Sequence, residues 1–216
     1  MGRKKNKDII PHEAIRRLSL YLRALKWLSR KKIKVVSSDE ITKYLNTIPA
    51  QFRKDLSYFG GFGKRGVGYN VEALIREIEK ILGTNMVWDI ALIGAGKLGT
   101  ALLGYAGFME FNLKIAIAFD NDRSKAGRVF GNIRIEPISR MKKEIREKKI
   151  KIALLTVPAQ YAQKISEDLV QCGIKAILNF APVNLHLAND IHVAHVDMAS
   201  ELGSLVYRLK HKSSHK

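Results

Sequence analysis

From Pro11 onward, apolar residues recur at spacings of three and four: Ile15, Leu18, Leu22, Leu25 and Leu28. Arg16, Arg17, Arg23, Lys26 and Arg30 fall mostly off that line. This period predicts an amphipathic helix with a basic outer face. Residues 31–34 break the run. In the next stretch, VSSDEITKYLN, Ser37 and Glu40 have capping-box spacing, with Ser38 and Asp39 as alternative caps. The spacing predicts a short helix to about Asn46. Pro49 suits the first turn of another helix, AQFRKDLSYF, which should stop at Gly60-Gly61. Two short helices closely joined form a helix-turn-helix unit. GGFGKRGVGYN, residues 60–70, then reads as a glycine-rich hairpin. Residues 71–82 form a further helix with Leu74, Ile75, Ile78 and Leu82 inward and Gly83 as its cap.

Beyond residues 83–87 the pattern changes. WDIALIG, KIAIAFD, KIALLTVP and KAILNFAP are near-continuous apolar runs, as in strands buried on both faces of a parallel sheet. Helical segments are expected at 98–111, 139–149 and 159–172. HVAHVD, 192–197, suits a last strand, and 198–209 a last amphipathic helix. The expected fold is therefore α/β. A winged helix-turn-helix domain spans residues 1–84, with the helix-turn-helix at about 18–57 and the wing at 60–70. A doubly wound Rossmann domain spans residues 85–216.

The first strand of that second part runs into Gly94-Ala95-Gly96-Lys97-Leu98-Gly99, a G-x-G-x-x-G loop. Gly94 allows the tight turn, Gly96 leaves room for a pyrophosphate, and Gly99 lets helix and strand approach. The helix start offers N–H groups to phosphates. Asp120 ends the next strand, 21 residues after Gly99. A carboxylate there accepts hydrogen bonds from ribose hydroxyls and repels a 2′-phosphate, which favours NADH and NAD+ as ligands. Two other readings stay open: Asp120 caps a turn in DNDRS, or Arg123 attracts a 2′-phosphate.

No catalytic set accompanies this loop. None of the six histidines falls in a segment aimed at a nicotinamide ring. His192 and His195 project to opposite faces of their strand, so no metal site is expected. Cys172, the single cysteine, reads as a small buried hydrophobe in a reducing compartment. MGRKKNKDII lacks an apolar segment behind its charges, and no apolar run approaches a membrane span. A cytoplasmic protein with no membrane partner is expected.

Charge names a partner. The formal net charge is +18. Residues 1–85 hold 19 Lys and Arg against 8 Asp and Glu, and residues 86–216 hold 19 against 12. Such an excess on a foldable chain suggests an anionic polymer, with double-stranded DNA favoured. On the third helix, Phe52, Leu56 and Phe59 face inward. Gln51, Lys54 and Tyr58 share another face, flanked by Arg53 and Ser57. Lys and Arg suit guanine edges, Gln suits adenine, and Ser and Tyr hydroxyls suit phosphates. A solvated charged face would look the same. Lys64 and Arg65, on the glycine-rich hairpin, suit a minor groove.

Taken together, AIRRLSLYLRAL, VSSDEI, FRKDLSYFGGFGKRGVGYNVEALI, ALIGAGKLGTALLGY, AFDND, ALLTVPA, GIKAILNFAP and VDMASEL resemble the Rex family of redox-sensing transcriptional repressors. The match runs from about residue 11 to 209, and RKDLSYFG…GKRGVGY is its most specific part. The resemblance implies a homodimer whose last helix, about 198–209, swaps onto the partner. It implies binding to a symmetric operator with NAD+ or no ligand, and release when NADH rises. It implies no enzymatic activity. Arg53, Lys54, Ser57 and Tyr58 match the family's recognition helix, and Lys64 and Arg65 its wing. Gly94–Gly99 and Asp120 match its dinucleotide site. Thr156, Val157 and Pro158 match a loop beside the nicotinamide ribose, and Tyr105 a tyrosine near the ring. Asp197 matches an aspartate that changes partners between redox states, and Arg23 the arginine that pairs with it across the dimer. Two positions depart: Ser19 stands where many relatives have proline, and Met198 where some have phenylalanine. The rival readings are an NAD-dependent oxidoreductase with a DNA-binding appendage and a DNA-binding protein that takes another nucleotide. Asp120 speaks against most of the latter class.

Overall fold

The structure is a computed structural model and describes residues 10–63 and 66–211. The chain divides into two units, Met1–Val87 with Glu110–Asn112, and Trp88–Met109 with Leu113–Lys216.

In the first unit, α1 (His12–Arg30) buries Ala14, Leu18, Tyr21, Leu22, Leu25 and Leu28. Ile15, expected on that face, is exposed, and Ala14 takes the buried place. The strand β1 (Val35–Val36) leads into α2 (Ser38–Thr42). The capping box forms: Ser37 Oγ accepts from the Glu40 N–H at 3.1 Å, and the Ser37 N–H donates to Glu40 Oε2 at 2.7 Å. α2 is shorter than the expected run to Asn46. The Thr42 hydroxyl bonds back to the Ser38 carbonyl at 2.8 Å, and the next amides, Tyr44 and Leu45, reach only three residues back. These tighter turns end the helix.

α3 (Pro49–Ser57) has Pro49 at its start. It ends before Gly60, where Ser57 Oγ donates to the Lys54 carbonyl at 2.7 Å. β2 (Tyr69–Asn70) pairs antiparallel with β1, and α4 (Val71–Leu82) follows. Asn70 caps α4 through the Ala73 N–H at 2.9 Å, and Gly83 closes it in the left-handed region. Three helices, a two-stranded ladder and a fourth helix make up this winged-helix unit. Its core centres on Tyr21, Phe52 and Tyr69, with ring centroids 4.8 and 5.4 Å apart. Phe52, fully buried, contributes roughly 1.5–3 kcal/mol of transfer free energy. Glu110–Asn112 complete the unit: Arg30 pairs with the Glu110 carboxylate at 2.7 Å, Lys26 reaches its carbonyl, and Asn112 bonds Thr84.

The second unit is a seven-stranded sheet. In chain order it contains β3 (Trp88–Ile93), α5 (Lys97–Leu103), β4 (Leu113–Asp120), β5 (Val129–Phe130) and β6 (Ile133–Pro137). Then come α6 (Met141–Glu147), β7 (Ile152–Leu155), α7 (Ala159–Gln171), β8 (Ala176–Asn179), β9 (His192–His195) and α8 (Met198–His211). The strand order is β5-β6-β4-β3-β7-β8-β9, all parallel except the β5–β6 edge pair. The chain starts at the centre on β3, builds outward through β4 and β6, then crosses to β7. The order reverses between β3 and β7, and the crevice at such a switch point is where open α/β sheets bind ligands. The buried residues of the central strands β3, β4 and β7 divide between two core clusters, as in a sheet buried on both faces.

Three expectations change in detail. The helix expected at 98–111 breaks at Gly104 into α5 and a 3₁₀ turn, Ala106–Phe111. The segment 139–149 opens with a 3₁₀ turn before α6. The last strand stops at His195, because Asp197 starts α8: its Oδ1 accepts from the Ala199 and Ser200 N–H groups, each at 3.0 Å. No residue of α8 is buried. Among the described residues, no helix is long and apolar enough to cross a membrane, and no cluster of three metal-ligating side chains forms.

Candidate nucleotide cleft and nucleic-acid interface

The cleft at the switch point measures about 770 Å³. The loop after β3 forms its floor. Gly94 has φ +98°, and a Cβ there would stand 2.7 Å from the Thr156 carbonyl. A Cβ at Gly99 would stand 2.0 Å from the Gly94 carbonyl. Both positions therefore admit only glycine without backbone movement. At Gly96 nothing lies within 4 Å of the Cβ position, so this side of the loop faces open space. Thr156 locks the loop from β7, its hydroxyl lying 2.7 Å from the Gly94 carbonyl and 3.0 Å from that of Ile93. A tight turn, an open approach and a fixed rim fit a pyrophosphate-sized group.

Of the residues singled out from sequence, Gly94, Gly96, Leu98, Asp120, Thr156, Val157 and Pro158 line this cleft. Ala95 and Gly99 lie buried beneath the loop, and Lys97 is exposed. Tyr105 is not among the lining residues. It stands exposed at the end of α5, edge-on to Phe108 with centroids 5.0 Å apart. Sequence reasoning missed Ile138, Tyr161, Ile165 and Phe180 on the apolar walls, and Lys125 beside Asp120. The wall residues carry no signal of their own. Lys125 carried one, since it follows DNDRS directly.

Asp120 ends β4 with little of its side chain exposed. Its Oδ1 accepts the Asp122 N–H at 2.8 Å, and its Oδ2 pairs with Lys125 Nζ at 3.0 Å. Both readings of this acid thus meet: it lines the cleft and also organises the turn after β4.

In the first unit, α3 presents Arg53, Lys54 and Ser57 on an exposed face, with Gln51 and Tyr58 half-buried. Arg53 donates to Ser38 Oγ at 2.7 Å, and Gln51 donates to Asp55 Oδ1 at 2.7 Å. Asp55 is wholly buried and ties α3 to α1. It accepts from Arg17 at 2.6 and 2.8 Å and from the Tyr21 hydroxyl at 2.6 Å. Burial pushes its carboxyl up, but the bonds from Arg17, Tyr21 and Gln51 outweigh that and hold it below its ordinary value. Burial, and then the bond to Asp55, push the Tyr21 phenol up to about 12. The helix that carries the candidate reading residues is thereby fixed in orientation. Lys64 and Arg65 lie outside the described residues. Arg23 is exposed, its guanidinium 5.7 Å from the centroid of the Phe111 ring.

A winged-helix unit with a basic helix face, joined in one chain to a doubly wound unit with a glycine-floored cleft, defines a class: DNA-binding regulators that carry a nucleotide site. Comparisons narrow it. A family model described as "Putative DNA-binding protein N-terminus" matches residues 9–57, and one described as "CoA binding domain" matches residues 85–183. The redox-sensing transcriptional repressor Rex of Chloroflexus aurantiacus is 43% identical over 208 residues, 96% of this chain and 98% of its own. That of Brevibacillus brevis is 42% identical over 200 residues, 93% and 97% of the two chains. The solved structure of RSP with β-NAD+ and operator DNA matches with a TM-score of 0.88 at 34% identity, covering 95% of this chain and 94% of that one. RSP with β-NADH matches at 0.84 and 33%, covering 95% and 96%. The chain belongs to the Rex family of redox-sensing transcriptional repressors. It is a regulator and not an enzyme, so the oxidoreductase alternative falls.

Proposed function

We infer that this protein binds a two-fold symmetric operator as a homodimer with NAD+ or no ligand, and releases it when NADH occupies the cleft. Family membership over nearly the whole chain carries this reading, together with the RSP complexes with NAD+ and operator DNA and with NADH. The cleft supports it in three ways. Gly94 and Gly99 have room for no side chain, Gly96 faces open space, and Asp120 places a carboxylate at the ribose end. NAD+ and NADH differ in the charge and planarity of one ring. A ligand shifts an equilibrium only through different affinities for its two states. Tyr105, Thr156, Val157 and Pro158 are assigned to the nicotinamide end. Arg53, Lys54, Ser57 and Tyr58, with Gln51, are assigned to the major groove, and Lys64 and Arg65 to the minor groove. Arg23, Tyr105 and Asp197 are assigned to the redox switch.

The exposed apolar residues of α8 support the dimer. Met198, Leu202, Leu205, Val206 and Leu209 are all exposed on a helix with no buried residue among the described residues. A swapped helix buries them on a second copy. Two reading heads then sit about one DNA turn, ~34–36 Å, apart, as successive major grooves require. A cytoplasmic location agrees with DNA as the partner. The decisive experiment titrates a symmetric operator probe at fixed salt with NADH and with NAD+. The expected result is loss of binding with NADH only. Equal responses to both would overturn the reading.

A further inference from the structure

We propose that Lys125 is a specificity-determining residue of the nucleotide cleft, its ammonium offsetting the Asp120 carboxylate where a ribose 2′-substituent would lie. The inference rests on the dinucleotide reading of that cleft and goes beyond it. An acid at the end of this strand is ordinarily a sufficient barrier to a 2′-phosphate, because like charges repel. Here the acid does not stand alone. The 3₁₀ turn Arg123–Lys125 brings the lysine back onto the strand end, and Nζ lies 3.0 Å from Asp120 Oδ2. The same Nζ is 4.0 Å from Asp122 Oδ2. Asp122 holds the turn by accepting the Ser124 N–H at 2.9 Å, and its own N–H is bonded to Asp120 Oδ1.

Asp120, Asp122 and Lys125 all line the one cleft. Lys164 also lines it, further along the wall, so within the turn after β4 it is Lys125 that offsets the two carboxylates. Lys125 remains partly open to solvent, so its remaining donors are free to turn toward an incoming oxygen. Two consequences follow. The pair holds the Asp120 carboxylate fixed before a ligand arrives. The cation also lowers the electrostatic barrier to a 2′-phosphate, so this cleft separates NADH from NADPH less sharply than Asp120 alone would.

The test measures NADH and NADPH dissociation constants by nucleotide fluorescence on the full-length protein and on Lys125→Met, Lys125→Arg and Asp120→Asn. Removing one partly screened unit charge from beside a phosphate changes affinity by about tenfold. The NADPH-to-NADH ratio of dissociation constants should rise about tenfold in Lys125→Met. It should stay near the unmodified value in Lys125→Arg, which keeps the cation, and should fall in Asp120→Asn. A lysine that only braces the turn would weaken both ligands by the same factor and leave the ratio unmoved, and that result overturns the proposal. Failure of the unmodified protein to bind NADH would overturn the dinucleotide reading and the proposal with it. Normal NADH binding with an unmoved ratio removes the proposal alone.

Discussion

At the scale of single residues, the orientation of the candidate recognition helix depends on Asp55. Nothing in the run QFRKDLSYFG marks this aspartate as different from its charged neighbours, since Arg17 and Tyr21, which donate to it, come from a helix more than thirty residues earlier. Its role is legible only once Arg17 and Tyr21 face it. The glycines of the cleft are the opposite case, because their steric requirement is local and the spacing announces it. Replacing Asp55 with alanine leaves Arg17, Tyr21 and Gln51 without their acceptor. The expected cost is about 3 kcal/mol, the low end for a broken buried pair, because Arg17 reaches water. Faster amide exchange throughout α3 and weaker operator binding should accompany it. The pH dependence follows from the two shifts. Asp55 is held below its ordinary 3.8, so its contribution is present above that value and is lost as pH falls below it. Tyr21 is pushed from 10.0 to about 12, so its contribution is full below pH 10 and is lost as pH rises toward 12. Protection factors of the α3 amides, corrected for intrinsic exchange and measured across pH 3–11, should be highest in the middle, and Asp55→Asn should abolish the acid limb.

At the scale of elements, signals that act within a few residues are legible in the sequence and tertiary ones are not. The capping box at Ser37, the proline at the start of α3 and the glycine closing α4 each act within a few residues, and each forms in the structure. The ends of α2 and α5 both come early, α2 closing in tighter turns after Thr42 and α5 breaking at Gly104. The β5–β6 edge pair leaves no signal in the sequence, because β5 has two residues and the pairing spans only two, too short a pattern for periodicity to register. α8 is visible as an amphipathic helix, and no residue of it is buried. Its apolar residues lead to a definite expectation. Leu205→Asp places a charge on the surface assigned to the dimer and should convert the protein to a monomer in sedimentation analysis. Half-sites bound singly lose the gain of tethering, so operator affinity should fall by at least about 100-fold. A fully dimeric Leu205→Asp would remove α8 from the interface.

At the scale of the whole molecule, two different free energies act on one DNA complex. The first is electrostatic and indifferent to redox state. A chain of net charge +18 releases counterions when it meets phosphates, so affinity falls steeply with salt, with a slope of about −0.9 per phosphate contact. The second is the coupling between cleft and operator, and linkage makes it reciprocal. If NADH weakens operator binding by some factor, bound operator must weaken NADH binding by the same factor. For typical couplings that factor is roughly 5–150. Salt changes the first term and, as long as both ligands are measured in the same buffer, leaves the equality of the second intact. NADH dissociation constants measured with and without saturating operator should therefore differ by the factor seen when operator affinity is measured with and without NADH. NAD+ should give a factor near one in both directions. An NADH affinity untouched by operator would mean that nucleotide and DNA act on this molecule independently, and the chain would then bind both without sensing anything.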